Sequence, residues 1–254
     1  TLLTAIMPRM SRNAADGDDA AVVADLTMGT KLTFIALIPI IIFMTALGPD
    51  IAHALFAYGS FSPQAAHLLG MTISASSFTL IPYALVMLHL RVFYAREEAW
   101  TPTFIIAGIT GTKILLSALA PYIAQDPSHV VVLLGAANGF GFVAGALIGA
   151  LLLRRKLGTL RAGDVLRTSI WAVAAALVGV AVIFGVRWLL RDVAGLHLPE
   201  ALGRVIGAPS LGNLIEVVML GLLFLVVTGL VLSRSKLPEV QNLGRALQRI
   251  PGLS

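Results

Sequence analysis

The 254-residue chain contains no cysteine. No disulfide framework, thiolate nucleophile or zinc–thiolate cluster can be built from it. Charge is also scarce. Asp, Glu, Lys and Arg make up 12% of the residues, against about 25% in a soluble domain. A chain so poor in charge cannot clothe an apolar core of its own in a water-facing shell. Acidic residues are the scarcer sign, 13 against 18 Lys and Arg, for a net charge of +5. The cations cluster in segments between apolar runs rather than along one surface, which is a membrane pattern and excludes nucleic acid as the expected partner.

Catalytic and metal-binding patterns are missing too. The histidines, His53, His67, His89, His129 and His197, are scattered, and no two stand at the i, i+4 spacing of a metal-binding helix face. There is no Ser-His-Asp set, no paired carboxylate site and no Walker motif, so neither an enzyme nor an ATP-driven pump is expected, and no metal or cofactor. "NAADGDD" (13–19) lacks the spacing and terminal Glu of a calcium loop. It reads as a solvated loop with Asp18 or Asp19 capping the next helix. "GFGFVA" (139–144) matches a loose dinucleotide fingerprint, but it lies inside an apolar run, with no strand before it. No signal-peptide pattern opens the chain. "TLLTAIMPRMSR" (1–12) reads instead as the end of a helix already under way, and the expectation is a segment of a longer protein.

What the chain has in abundance is apolar sequence, 57% of its residues. Six runs are each long enough to cross a hydrocarbon layer about 30 Å thick. They cover approximately 27–48, 65–90, 103–121, 130–153, 168–190 and 213–232. Their length and their Ala, Leu and Gly content exclude strands. The expected fold is an all-α integral membrane lobe of six transmembrane helices over 27–233. Before it, 1–26 reads as the end of a preceding span plus an amphipathic lead-in, with Gly17 as helix stop. After it, 234–254 reads as a basic cytoplasmic tail or linker, which anionic lipid would attract. "GPDIAHALFAYGSFSPQ" (48–64) reads as a short interfacial helix and a turn.

Setting Lys113 aside, fourteen Lys and Arg fall on one side of the alternating spans and three, Arg187, Arg191 and Arg204, on the other. By the positive-inside rule both ends of the segment are cytoplasmic.

Within the spans, Gly141, Gly145 and Gly149 stand four residues apart and form a smooth stripe for close helix packing. Pro39 and Pro82 interrupt the first two spans. Each is read either as a static kink or as a gating bend in alternating access. Glu216 is the one carboxylate near the start of the sixth span. Lys113 lies about ten residues from either end of the third span, too deep to snorkel fully. A lipid-facing lysine there would cost about 2.5–3.5 kcal/mol, so it is expected to face the bundle or a water-filled cavity. Thr110 and Ser117 share its face at helical spacing, with Thr112 to the side. Lys113 is then either a packing residue that bonds a neighbouring helix or a transport-cavity cation.

Three stretches together resemble the MurJ/MviN family. These are "TAIMPRMSR" (4–12), "LFAYGSFSPQ" (55–64) and "FYAREEAWTP" (93–102). Their order and spacing match the family's cytoplasmic helix end, outer loop and Phe-Tyr-Ala-Arg loop. The Ala-rich composition with basic loops is in the style of an actinobacterial, mycobacterial-type member.

The resemblance implies a flippase for lipid II, an undecaprenyl- or decaprenyl-pyrophosphate-linked muropeptide. Such proteins move it from the inner to the outer leaflet of the bacterial plasma membrane for cell-wall synthesis. Family members have fourteen spans in two lobes and belong to the multidrug/oligosaccharidyl-lipid/polysaccharide exporter superfamily. This chain would cover the end of the eighth span to the fourteenth. The family's essential arginines lie mainly upstream of residue 1 and are not carried over. The last two spans would hold the polyprenyl tail. "AVAAALVGV" (172–180) offers small residues and "VVMLGLLFLVV" (217–227) bulky ones, so Ala176, Gly179 and Leu222 are the groove candidates. Mycobacterial members carry a pseudokinase-like cytoplasmic domain, which would follow residue 254. Two alternatives stand beside this reading: a polysaccharide or drug exporter of the same superfamily, and a non-transporting membrane scaffold for cell-wall enzymes.

Overall fold

The structure is a computed structural model and describes residues 2–56, 62–124, 126–206, 209–235 and 240. Among these residues it contains only helices, turns and short connections. In chain order the helices are α1 (Leu2–Ala15), α2 (Asp19–Phe56), α3 (Pro63–Ser76), α4 (Leu80–Ala95), α5 (Trp100–Ile123), α6 (Pro127–Leu157), α7 (Ala162–Trp188), α8 (Leu198–Ile206) and α9 (Pro209–Arg234). Six helical segments are long and apolar enough to cross a membrane, with α3 and α4 together making the second. Much of the tail expected over 234–254, and the turn at 57–61, lie outside the described residues.

Helix boundaries follow local chemistry. Gly17 takes φ +72°, which glycine adopts without a Cβ penalty, and ends α1. Asp18 accepts a 2.9 Å hydrogen bond from the Ala21 N–H and opens α2. There is no break at 26/27, so the separate lead-in helix expected before the first span is instead the first turns of α2. The sequence between Asp19 and Thr27 offers no Gly or Pro to stop it. Thr27, Thr30 and Thr33 turn their hydroxyls back to the carbonyls four residues earlier, a bond a helix interior accepts. Residues 48–56, expected as an interfacial helix, likewise continue α2 past Pro39 and Pro49. The second span is interrupted by a 3-10 turn at Ser77–Thr79. Pro82 lacks the N–H that would pair with the Phe78 carbonyl, so the regular ladder cannot run through this point. The fifth span ends in a π-helical turn, Leu189–Val193.

The chain divides into two compact units. The first comprises Thr1–Leu37 and Ala75–Ser169. Its core gathers Val22, Leu26, Val86, Phe93, Ile105 and Leu153. α6 presents a ridge of glycines to its neighbours: Gly141 lies against the Lys113 chain, Gly145 against Ile109 and Val86, and Gly149 against His89. The expected small-residue stripe is therefore a real packing surface. Polar ties hold the helix ends. Arg9 pairs with the buried Asp25, to which Asn13 also donates at 2.9 Å. Arg96 pairs with Asp19, and Lys156 with Glu98, which also accepts from Thr101 at 2.9 Å. Burial pushes the Glu98 carboxyl up. The hydrogen bonds from Lys156 and Thr101, with the charges of Lys156 and Arg96, outweigh that and hold it below the ordinary range.

The second unit comprises Ile38–Ser74 and Ile170–Ser254. Leu47, Ala176, Ile183, Leu220 and Phe224 form its core. Gly48 and Gly70 let α2 and α3 approach backbone to backbone, since a Cβ on Gly70 would sit 2.7 Å from the Pro49 nitrogen.

Large apolar side chains remain exposed along the helices, including Phe104, Ile114 and Leu115 on α5 and Leu225, Val226 and Leu230 on α9. In water such surfaces would aggregate, but in hydrocarbon they are the solvated face. Trp100 and Tyr122, both exposed, mark the two ends of α5 as interfacial aromatics do.

Candidate functional site

Lys113 stands 13 residues from the start of α5 and 10 from its end. That is roughly 15–20 Å from either terminus at 1.5 Å per residue. Its side chain is half-buried and turns onto α6, not outward. The chain crosses the notch left by Gly141 and the Nζ sits 3.9 Å from the centroid of the Phe142 ring. Tyr83 of α4 meets the same ring edge-on at 5.1 Å and 85°. The negative face of the ring offers the ammonium a partner that hydrocarbon cannot, worth about 2 kcal/mol where water is excluded. Ser117 is half-buried on the same helix face, whereas Thr110 is exposed. Thr112 donates to the Gly108 carbonyl at 2.9 Å and is spent within its own helix.

The groove candidates separate. Ala176 is fully buried, and Gly179 lies where a Cβ would meet Thr228 and Phe224 of α9. Leu222 is 60% exposed on the opposite side of that contact. The structure thus places Ala176 and Gly179 in helix packing and Leu222 on the apolar outer face. Pro39 is within α2, one residue past the division between the two units, and Pro82 follows the 3-10 break.

One constellation was not anticipated from sequence. At the far ends of α2, α7 and α9, Arg187 donates to Asp50 at 2.7 Å and approaches Glu216 at 3.4 Å. Glu216 is only 6% exposed. A cavity of about 280 Å³ opens beside this group, bordered by Arg191, His197 and Asn213. The signal was present: Arg187 closes one span, Glu216 opens the next, and Asp50 closes the first, so alternating spans bring all three to one level. Counting Arg187 only as a loop charge concealed it. His53 and His67, near the same level, approach with ring centroids 6.5 Å apart. No group of three or more metal-ligating side chains occurs among the described residues.

Six apolar helices of spanning length, lipid-facing side chains around them and ionisable groups folded inward together define a multi-pass helical membrane protein. The profile described as "Lipid II flippase MurJ" matches residues 1–198, so the chain belongs to the MurJ family, which is a family of transporters. It is 26% identical over 248 residues to a probable lipid II flippase MurJ from Synechocystis sp., covering 97% of this chain and 43% of that protein. The fold matches that of a solved lipid II flippase MurJ in an inward closed conformation, with a TM-score of 0.60 and 16% identity. That match covers 91% of this chain and 42% of the solved one. The chain thus spans less than half the length of the relatives it matches.

Proposed function

We propose that this chain is the second lobe of a flippase that carries lipid II, the polyprenyl-pyrophosphate-linked peptidoglycan precursor, from the inner to the outer leaflet. The observation that carries this reading is the family match over residues 1–198. The substrate joins an anionic pyrophosphate to a long apolar tail. Moving its head through hydrocarbon requires a path lined by groups that replace water, and a cation held away from lipid lowers the cost for a pyrophosphate. Lys113 is the candidate for that role in this lobe, with Ser117 and Thr110 on its helix face. An apolar tail needs only a continuous greasy surface, and the exposed side of α9 around Leu222, alongside α7, is the candidate for it. Pro39 and Pro82 are the candidate bending points.

In this reading 27–233 form the lobe, 1–26 complete a preceding span and its connection, and 234–254 lead from the membrane toward a cytoplasmic regulatory domain. The excess of basic residues on one side supports a cytoplasmic position for both ends of the segment. The test is replacement. Cells depleted of their own lipid II flippase are given the full-length protein on a plasmid. Restored growth and cell shape support the reading. Lysis at the same rate as with an empty plasmid, despite membrane insertion, rejects it.

A further inference from the structure

We infer that the first unit carries a binding site for one ester-linked, anionic phospholipid, independent of the flippase reading. A cavity of about 280 Å³ opens among α2, α4 and the beginning of α7. At about 30 Å³ per water-sized group, it has room for part of one acyl chain but not two. Leu26, Phe34, Leu85 and Leu166 give it an apolar wall. The hydroxyls of Thr27, Thr30 and Ser169 point into it already committed to helix carbonyls. Two groups are uncommitted. Arg161 stands exposed at the rim and makes no ion pair among the described residues. His89 lines the cavity from within and is only 5% exposed.

His89 has no structural use for its polarity. Its Nδ1 is closed off against Gly149 without a hydrogen-bond partner. A buried, neutral imidazole holds one proton, and an orphaned buried N–H is rarer than an orphaned lone pair. The proton therefore belongs on Nε2, the edge left for the cavity. The cavity thus offers a cation at the mouth, a single N–H donor below it and an apolar wall around both. A glycerophospholipid matches in the same order: phosphate, ester carbonyl, acyl chain. A free fatty acid lacks the middle acceptor, and a polyprenyl phosphate has no carboxylic ester and so no acyl carbonyl. The flanking segment 154–167 adds Arg154, Arg155 and Arg167 to Arg161, a basic surface of the kind that draws anionic lipid.

The test is binding, read without any transport. The purified full-length protein is titrated with dioleoyl phosphatidylglycerol, its ether-linked analogue and dioleoyl phosphatidylcholine, and retained lipid is counted by native mass spectrometry. One hydrogen bond to the carbonyl predicts that the ester lipid binds about fivefold tighter than the ether lipid. That gap disappears in His89→Phe, and the preference over phosphatidylcholine shrinks in Arg161→Gln. Leu166→Trp, which fills the cavity from an exposed position, removes the ester–ether gap even if the histidine variant fails to fold. Equal retention of ester and ether lipids by the wild type overturns the inference, as does an ester–ether gap that survives in Leu166→Trp.

Discussion

At the scale of single residues, two ionisable groups inside the membrane region are handled differently. Lys113 is given a ring face and a notch; Arg187 is given two carboxylates. Replacing Lys113 by Met keeps the length of the side chain and its fit against Gly141 while removing the charge. We predict that Lys113→Met shifts the thermal midpoint by only a few degrees, equivalent to about 1 kcal/mol. Flipping is expected to fall strongly in this variant, whereas Lys113→Arg retains much of it. Unimpaired flipping by the Met variant would leave Lys113 a packing residue. For the other group, Arg187→Leu strands Asp50 and the buried Glu216 without the guanidinium that pairs with both, leaving only Arg191 across the adjoining cavity. It is expected to cost about 2 kcal/mol, measured by thermal unfolding in detergent. A second change, Glu216→Gln, should recover part of the loss; independent, additive costs would show that the two side chains do not act as a pair.

Lys113 was legible in the sequence because a lysine amid apolar residues contradicts its surroundings. Its ring partner was not, because Phe142 is one aromatic among many until α5 and α6 are placed side by side. Arg187, Asp50 and Glu216 are separated by up to 166 positions in the chain, and only the alternation of spans brings them to one level.

At the scale of helices, the glycine stripe on α6 decides how close its neighbours lie. A Cβ on Gly145 would meet Ile109 and Val86, so Gly145→Leu should destabilise by about 2–3 kcal/mol through overpacking. Gly111→Ala, with nothing within 4 Å, should be neutral or gain up to about 1 kcal/mol of helix propensity. Similar losses for both would remove the packing role of the stripe. The stripe could be read from spacing alone, since a four-residue period is a property of one helix. Helix ends could not be read as well: α2 continues through both segments expected to be separate, through 19–27 because no Gly or Pro stops it, and through 48–56 despite Gly48 and Pro49, where the close approach of α3 at Gly70 packs that turn.

The tie between Lys156 at the end of α6 and Glu98 ahead of α5 makes a pH prediction. The folded carboxyl titrates below its ordinary range, so the unfolded chain takes up the proton first as pH falls. The stabilisation is therefore complete above about pH 5, where even the unfolded carboxyl is ionised, and is lost as pH drops through the lowered folded value. Glu98→Gln should flatten this acid limb of the stability profile; an unchanged limb would show that the tie contributes nothing.

At the scale of the whole molecule, the charge asymmetry between alternate connections predicts the orientation. Single cysteines in a chain that has none make clean probes. Cysteines placed at Ser62 and Asp192, both exposed, should react with an impermeant thiol reagent applied outside intact cells, and one at the exposed Thr159 should not. The reverse pattern would invert the topology. The membrane class was legible from composition alone, because hydrocarbon tolerates only helices or closed barrels and the runs are too long for strands. The proposed substrate path was not, because the chain spans less than half the length of the relatives it matches.

The proposed activity is the movement of a lipid-linked sugar–peptide head across a bilayer. The direct measurement reconstitutes the full-length protein into vesicles with a head-labelled fluorescent lipid II and adds an impermeant quencher outside. The account predicts that the protected half of the fluorescence becomes quenchable at a rate that rises with protein content. Quenching that stops at the outer leaflet, as in protein-free vesicles, would contradict it.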